Sequence, residues 1–269
     1  MVSYLHAYVQ ISEPMRPPAI AKLISNVALQ LFTCGAETRL IVQISERLAA
    51  ACGSRAEVAV SPNMIHLKIV TGDDEYSSFW RTGVIGIDTA GLIACTRLCR
   101  RAERGEMTLE QLSDAVSWIR PLPYNSYLMI LVISLACCSF CMLNGGSIGA
   151  SLTAMLAGAV AMSLKLAMHH LRIFPMLVFI CCGFAGTVAS FVVGNYCFML
   201  GDFDLSVAMV VSLLPFVPGF PFINGILDVF KGYPVMGINR LMTAMLLLAS
   251  VCIGIALALG LLPLKTVFD

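Results

Sequence analysis

The chain has 269 residues, of which 58% are hydrophobic and only 12% are charged, and its formal net charge at pH 7 is +1. Soluble domains carry about 25% charged residues, so this composition excludes an ordinary soluble protein, and the small net charge gives no support to nucleic-acid binding. The charges are unevenly placed, since residues 127–269 hold only 9 of the 33 charged side chains. We therefore predict a soluble cytoplasmic α+β domain over residues 1–122 and an α-helical transmembrane domain over residues 123–269.

The first 122 residues show the sequence patterns of a small α+β domain. Apolar residues at helical spacing follow Pro17 and Pro18, and alternating apolar residues later predict a β-hairpin. Thr108 and Gln111 occupy the positions of a helix capping box. The predicted helices cover 17–33, 37–51, 88–104 and 108–119, and the predicted strands cover 55–60, 64–70 and 76–87. No phosphate loop, catalytic triad or metal-binding motif occurs here, so we predict no enzymatic activity, no metal and no cofactor.

Five apolar runs follow, and most approach the roughly 20 residues that a helix needs to cross a bilayer. They lie near 127–143, 147–164, 175–193, 205–217 and 241–262. Arginines between Arg97 and Arg120 are concentrated just before the first run, and no secretory signal peptide opens the chain. The positive-inside rule therefore places the N-terminal domain in the cytoplasm, and five crossings would leave the C-terminus outside.

The segment 214–228, which reads L-P-F-V-P-G-F-P-F-I-N-G-I-L-D, interrupts the fourth run. Pro218, Gly219 and Pro221 fall where a membrane helix would continue, and proline both removes a backbone donor and clashes with the preceding turn. A broken helix at membrane depth must be buried in protein or line a watery cavity, and transporters build binding sites from such breaks. Asn224 and Asp228 follow four residues apart, on one face of a resumed helix. The segment therefore predicts a transport site.

The polar residues around this break allow alternative roles. Asp228 either carries a proton or gates the cytoplasmic mouth, or it caps a helix at the membrane interface. Arg240 either binds a substrate carboxylate through its planar fork or anchors the last span on the cytoplasmic side. Asn224 either bonds substrate or satisfies carbonyls freed by the prolines. A further cationic group is either a vestibule for an anion or a loop in contact with lipid headgroups, and it comprises Lys165, His169, His170 and Arg172.

The eleven cysteines do not suggest a disulfide framework, because they lie in apolar runs or in the predicted cytoplasmic domain, where thiols stay reduced. Cys138 and Cys141 form a C-x-x-C pair, and Cys95 and Cys99 are one helical turn apart. No second pair or histidine lies at metal-binding spacing, so the favoured interpretation is a small hydrophobic residue rather than a metal or redox site.

Three motifs resemble the N-terminal module of the threonine/serine exporter family, and the resemblance extends from about residue 19 to residue 262. They are V-P-G-F-P-F-I-N-G-I-L-D-V-F-K-G at 217–232, C-S-F-C-M-L-N-G-G at 138–146, and L-F-T-C-G-A-E-T at 31–38. The subunits of two-component succinate exporters in bacterial inner membranes are the most similar type. Carried over by position, the motif residues are Pro218, Gly219, Pro221, Asn224, Asp228, Cys141, Asn144, Gly145, Gly146 and Glu37.

The resemblance implies a multi-pass inner-membrane protein that exports succinate and related C4-dicarboxylates. Fused relatives carry a second membrane module, so the partner expected here is a separate small membrane subunit in a hetero-oligomer. Small residues in the second run serve either internal packing or docking of that subunit.

Three different functions stay open beside dicarboxylate export. Fused relatives export threonine and serine, which keeps an amino-acid exporter as one alternative. A non-transporting regulatory or assembly subunit is a second. A membrane-bound enzyme that uses Glu37, His66 and Asp88 is a third, although no catalytic spacing in the sequence supports it.

Overall fold

The computed structural model describes residues 17–83, 85–120 and 125–262. Contacts divide the chain into two compact units. Unit 1 comprises Met1–Leu122 together with Ile223–Arg240, and unit 2 comprises Pro123–Phe222 together with Leu241–Asp269. The sequence assigned Ile223–Arg240 to the transmembrane domain, whereas the contacts of this segment lie with the N-terminal residues.

Unit 1 contains a small α+β fold, as predicted. Its elements in chain order are α1 (Pro17–Thr33), α2 (Thr38–Ala51), β1 (Arg55–Val60), β2 (Met64–Thr71), β3 (Asp74–Arg81), α3 (Thr89–Glu103) and α4 (Leu109–Ser117). The strands form one antiparallel sheet in the order β1-β2-β3. Ile65, Leu67 and Ile69 alternate along β2 and join the buried apolar core that the apolar face of α1 also lines.

Two local details of unit 1 follow from the sequence. The capping box is confirmed, because the Thr108 hydroxyl accepts from Gln111 N and the Gln111 side chain accepts from Thr108 N. The third strand is shorter than predicted and ends at Arg81. Beyond it, Gly86 N and Asp88 N donate to the carbonyls of Thr33 and Cys34, so this segment satisfies its backbone at the end of α1 instead of in the sheet.

The C-terminal half is built of apolar helices. They are α5 (Ser126–Leu143), α6 (Ile148–His170), α7 (Pro175–Val192), α8 (Asp202–Leu213), α9 (Gly219–Phe230) and α10 (Pro234–Leu261). A π-helical turn, Val193–Cys197, continues α7, and a 3₁₀ turn, Leu214–Phe216, follows α8. Among the described residues, four helices are long and apolar enough to cross a membrane, and a fifth is added if the bent pair of α8 and α9 counts as one span. The predicted membrane architecture with one broken helix is confirmed.

The break lies where the prolines predicted it. The chain is bent by 61° between the two helical segments Asp204–Phe216 and Gly219–Phe230. Val217 has an extended backbone (φ −69°, ψ 123°), which is the conformation that a following proline favours. Pro218 immediately precedes α9, and its carbonyl accepts the first hydrogen bond of that helix from Phe222 N. The helix therefore resumes immediately after the break, with Asn224 and Asp228 on it.

Within unit 2, α7 and α10 approach each other through glycine. A Cβ atom on Gly183 would lie 2.6 Å from the carbonyl oxygen of Val251. A Cβ atom on Gly254 would overlap the carbonyl oxygen of Ile180 and lie 2.8 Å from Phe184 N. Small residues allow membrane helices to come this close, and here the neighbouring atoms are backbone. The α10 helix also begins at Pro234, seven residues before the predicted fifth span.

Candidate functional site

The loop between α1 and α2 lies at the centre of a cluster of buried polar side chains in unit 1. Gly35 ends the first helix with φ +87°, and Ala36 N donates to Leu31 O at 2.9 Å. Glu37 occupies the N-cap position of α2, but its side chain makes no capping hydrogen bond. The first N–H groups of α2 therefore need an acceptor from elsewhere in the fold.

Asp228 of α9 supplies that acceptor from 190 residues away. Its Oδ1 accepts from Thr38 N at 2.9 Å, and its Oδ2 accepts from the Thr38 hydroxyl at 3.0 Å. Both Asp228 and Thr38 are fully buried. A carboxylate at a helix N-terminus is stabilised by the unpaired N–H groups and by the helix dipole. The geometry thus supports the helix-capping role that the sequence left open for Asp228.

Arg240 of α10 pairs with the same carboxylate. Its Nη1 lies 3.1 Å from Oδ2 of Asp228, and its Nη2 donates to the carbonyl of Ala36 at 2.6 Å. The guanidinium is buried, with 3% of the side chain exposed, and its Nε makes no hydrogen bond to a described residue. A buried cation needs such a partner, because the desolvation of an unpaired charge is costly. Arg240 therefore already holds a carboxylate, and that carboxylate belongs to Asp228.

Two further contacts complete the arrangement. Asn224 donates from Nδ2 to the carbonyl of Gly35 at 3.1 Å, and Lys231 forms an ion pair with Glu37. The side chains of Lys231 and Glu37 are about a quarter exposed, so water screens this pair more than the buried one. Asn224, Asp228 and Lys231 are spaced i, i+4 and i+7 and therefore share one helix face. We call these three residues, with Arg240, Glu37 and Thr38, the loop cluster.

The close packing of α9 against the start of α10 brings Arg240 to Asp228. The turn between the helices contains Gly232 at φ +87°, and Tyr233 N donates to Asp228 O at 2.8 Å. A Cβ atom on Gly237 would lie 2.6 Å from Gly225 O, so a larger residue there would push the helices apart. The short turn and this glycine hold the two helices in one hairpin.

The structure brings together four of the predicted site residues, namely Glu37, Asn224, Asp228 and Arg240. Thr38 and Lys231 were not predicted to join them, although both lie inside the motifs 31–38 and 217–232. Pro218 lies between the 3₁₀ turn and α9, and Gly219 and Pro221 lie in the first turn of α9. Asn144 lies at the end of α5, where its Nδ2 donates to Phe140 O at 2.8 Å in an exposed position. It therefore completes a helix end.

Lys165 is a second polar feature, and it lies in unit 2. Its ammonium is 5.4 Å from the ring centroids of both Phe179 and Phe216. Phe216, which is 1% exposed, is the last residue of the 3₁₀ turn before the break. No acidic side chain pairs with Lys165 among the described residues. The sequence placed Lys165 in a cytoplasmic loop, whereas α6 continues to His170, so the Lys165 backbone lies about 7.5 Å from the helix end.

Cys34, Cys95 and Cys99 of unit 1 are buried, and Cys52 is half-buried. Burial raises the pKa of Cys52 to about 11, and burial together with the charge of Asp88 raises the pKa of Cys34. A hydrogen bond with Cys99, reinforced by burial, raises the pKa of Cys95. Thiols with raised pKa values are poor nucleophiles and poor metal ligands. In the described part of the chain, no three His, Cys, Asp or Glu side chains are grouped so that they could hold a metal ion.

The Thr38→Val substitution tests the capping contact. We expect it to lower the free energy of unfolding by about 2 kcal/mol, because Asp228 loses the hydroxyl donor to its buried carboxylate. Thr38→Ser keeps the hydroxyl and is the matched control, which should retain most of the stability. Thermal unfolding of the purified full chain in detergent measures both variants. A Thr38→Val protein as stable as the unsubstituted chain would show that the hydroxyl contact does not contribute to stability.

Sequence similarity extends over nearly the whole chain. Residues 22–262 match the family model described as "Putative threonine/serine exporter". A Klebsiella aerogenes protein named "Probable succinate transporter subunit YjjP" is 30% identical over 250 residues, which cover 92% of this chain and 95% of that protein. The Escherichia coli K12 protein of the same name is 31% identical over 252 residues, or 92% of this chain and 96% of that protein. No solved structure matches the chain significantly.

Proposed function

We propose, because this chain belongs to the threonine/serine exporter family, that it is one subunit of a membrane exporter of succinate and related C4-dicarboxylates. Family membership and the membrane-length helices support transport. The names of the two relatives support a dicarboxylate as the substrate and a second subunit as the partner. In this proposal the partner is a small membrane protein, the complex lies in the bacterial inner membrane, and the N-terminal part of unit 1 is cytoplasmic.

The choice of substrate rests on the Lys165 ammonium, which has no acidic partner among the described residues. A charged group within a membrane helix is costly unless it is paired or used, and cation–π contact with two rings offsets only about 0.5–2 kcal/mol of that cost. A carboxylate of a dianion would supply the missing counter-charge. An amino acid would also need an acidic partner for its own ammonium group. Asp204 is an acidic residue of unit 2, but its carboxylate accepts a hydrogen bond from Ser147 N at 3.0 Å and is therefore already engaged within the protein.

The break at Pro218, Gly219 and Pro221 is the proposed transport path. Phe216 contacts the Lys165 ammonium and immediately precedes this break, so the cation lies beside the chain that leads into the interrupted backbone. Discontinuous helices supply backbone groups that are free to bind substrate or water. We therefore assign one of the two substrate carboxylates to Lys165.

The loop cluster has a different role in this proposal. The Asp228 carboxylate is engaged by Thr38 and Arg240, which argues against direct binding of a dianion. Its contacts tie the segment after the break to the loop before α2. We assign Asp228, Arg240, Asn224 and Glu37 to gating, in which release of these contacts would free α9 to move.

Reconstitution into proteoliposomes tests the function. The chain and its small membrane partner are inserted separately and together, and efflux of labelled succinate and threonine is measured. We expect succinate efflux only when both proteins are present, because the relatives are named as subunits of a transporter. Threonine efflux without succinate efflux would favour the amino-acid exporter. Full flux from the partner alone would make this chain a regulatory or assembly subunit, and flux from this chain alone would remove the need for a partner.

A further inference from the structure

The strand β3 is an edge of the sheet in unit 1. The strand order is β1-β2-β3, and no described segment pairs with the outer side of β3. Most of its residues are exposed, including Phe79 at 69%. An unpaired edge presents a row of backbone donors and acceptors that can bind another strand.

The register of the hairpin shows which backbone groups are free. The two-residue turn pairs Thr71 with Asp74, and beyond the strand Thr82 N donates to Asn63 O. Even-numbered residues of β3 therefore direct their N–H and C=O groups to β2. Because these groups alternate along a strand, those of Glu75, Ser77, Phe79 and Arg81 point outward.

This edge lacks the usual protection against pairing. Natural edge strands carry lysine, proline or a bulge at their centre. The centre of β3 reads Tyr-Ser-Ser-Phe-Trp at 76–80, without a charge or a proline, and it pairs with β2 without a bulge. The charged residues lie only at its two ends, where Asp74 and Glu75 are acidic and Arg81 is basic.

An antiparallel copy of β3 complements this pattern. Two strands can pair only when outward residues face outward residues, and a two-fold axis at Ser78 meets that condition. In this register Glu75 faces Arg81 of the second copy, and Tyr76 faces Trp80 of the second copy. Opposite charges and aromatic pairs are the cross-strand combinations that stabilise a sheet. We propose that two copies of this chain associate through β3 and form a continuous six-stranded antiparallel sheet centred on Ser78.

The intrachain contacts of β3 are compatible with this pairing. Glu75 forms an ion pair with Lys68 at 2.9 Å on the open face of the sheet, and its side chain stays 60% exposed. The carboxylate therefore has room for a second cation, which Arg81 of the other copy supplies. Phe79 stacks on His66 with ring centroids 4.4 Å apart, so its ring is already oriented along the sheet surface. Pairing would bury the outward backbone row and part of this ring.

A cysteine crosslink tests the register in native membranes. In the proposed pair the two Ser78 Cα atoms lie about 4.5 Å apart, which suits a disulfide. The Ser77 residues form a diagonal pair about 7–8 Å apart, which is too far for a disulfide. We expect Ser78→Cys to give at least about fivefold more crosslinked dimer than Ser77→Cys under mild oxidation. The unsubstituted chain, with its own eleven cysteines, sets the background.

Charge reversal tests the same register without a new thiol. Glu75→Arg and Arg81→Glu should each lower the dimer fraction about threefold or more, because like charges then face each other at both ends. The double variant restores opposite charges and should recover the dimer. The dimer fraction is measured by native mass spectrometry of the full chain in detergent. Equal crosslinking at positions 77 and 78, a monomer in both assays, or no recovery in the double variant would overturn the proposal. None of these results depends on the transported substrate.

Discussion

Replacing Arg240 with glutamine should lower the free energy of unfolding of unit 1 by about 3–5 kcal/mol, because removal of one partner leaves a buried charge without compensation. Asp228 is fully buried, and its remaining donors come only from Thr38 among the described residues. The carbonyl of Ala36 also loses its donor. Thermal unfolding and the amount of protein in the membrane both measure the loss.

Matched variants separate charge from shape in this pair. Asp228→Asn leaves the buried Arg240 cation without its carboxylate and should cost a similar amount. The double variant Asp228→Asn with Arg240→Gln buries no charge and should recover much of the stability. Lys231→Gln breaks a partly exposed pair and should cost no more than about 1 kcal/mol. An Arg240→Gln protein as stable as the unsubstituted chain would show that the ion pair does not hold the loop cluster together.

Replacing Lys165 with glutamine should reduce succinate efflux at least about tenfold in proteoliposomes that contain both subunits, because a factor of ten corresponds to only about 1.4 kcal/mol of lost carboxylate interaction. Stability should not fall, since the change removes a cation that no described acidic residue compensates. Lys165→Arg keeps the charge and should retain a measurable part of the flux. His170→Gln, in the exposed last turn of the same helix, is the matched control and should transport normally.

The outcomes for Lys165 distinguish a substrate contact from an anchor. A substrate contact predicts that the loss in Lys165→Gln is specific for the dianion and takes the form of weaker binding of succinate by the purified complex. An anchor at the membrane surface predicts normal binding and a lower amount of inserted protein. Normal succinate efflux in Lys165→Gln would show that the Lys165 ammonium does not bind the substrate. The choice of a dicarboxylate would then lose its structural support.

Local sequence patterns were sufficient for the helices α1 to α4, for the first two strands and for the position of the break. The capping box at Thr108 and the prolines at 218 and 221 act over a few residues, so their effects can be read directly from the chain. The start of α10 was missed because Asn239 and Arg240 lower the hydropathy before residue 241. Those polar residues are nevertheless helical, since Arg240 is satisfied by Asp228 and by the Ala36 carbonyl.

The loop cluster could not be predicted from local patterns. Asp228 and Thr38 are 190 residues apart, and no periodicity links residues at that separation. The one signal was indirect: two of the three motifs carry charges of opposite sign, with Glu37 in one and Lys231 in the other. The sequence left Arg240 between a substrate carboxylate and an anchor of the last span, because it cannot show that the nearest carboxylate belongs to the protein itself.

The glycine contacts between α7 and α10 have a consequence for motion and for genetics. The carbonyl oxygens of Val251 and Ile180 pack directly against Gly183 and Gly254, where any larger side chain would overlap them. Neither helix can therefore slide past the other without first moving apart. This pair is therefore a fixed frame, and any shift during a transport cycle must occur in other helices. In a selection for growth, substitutions at these two glycines should eliminate the protein altogether, whereas substitutions at Lys165 should change which compound it carries.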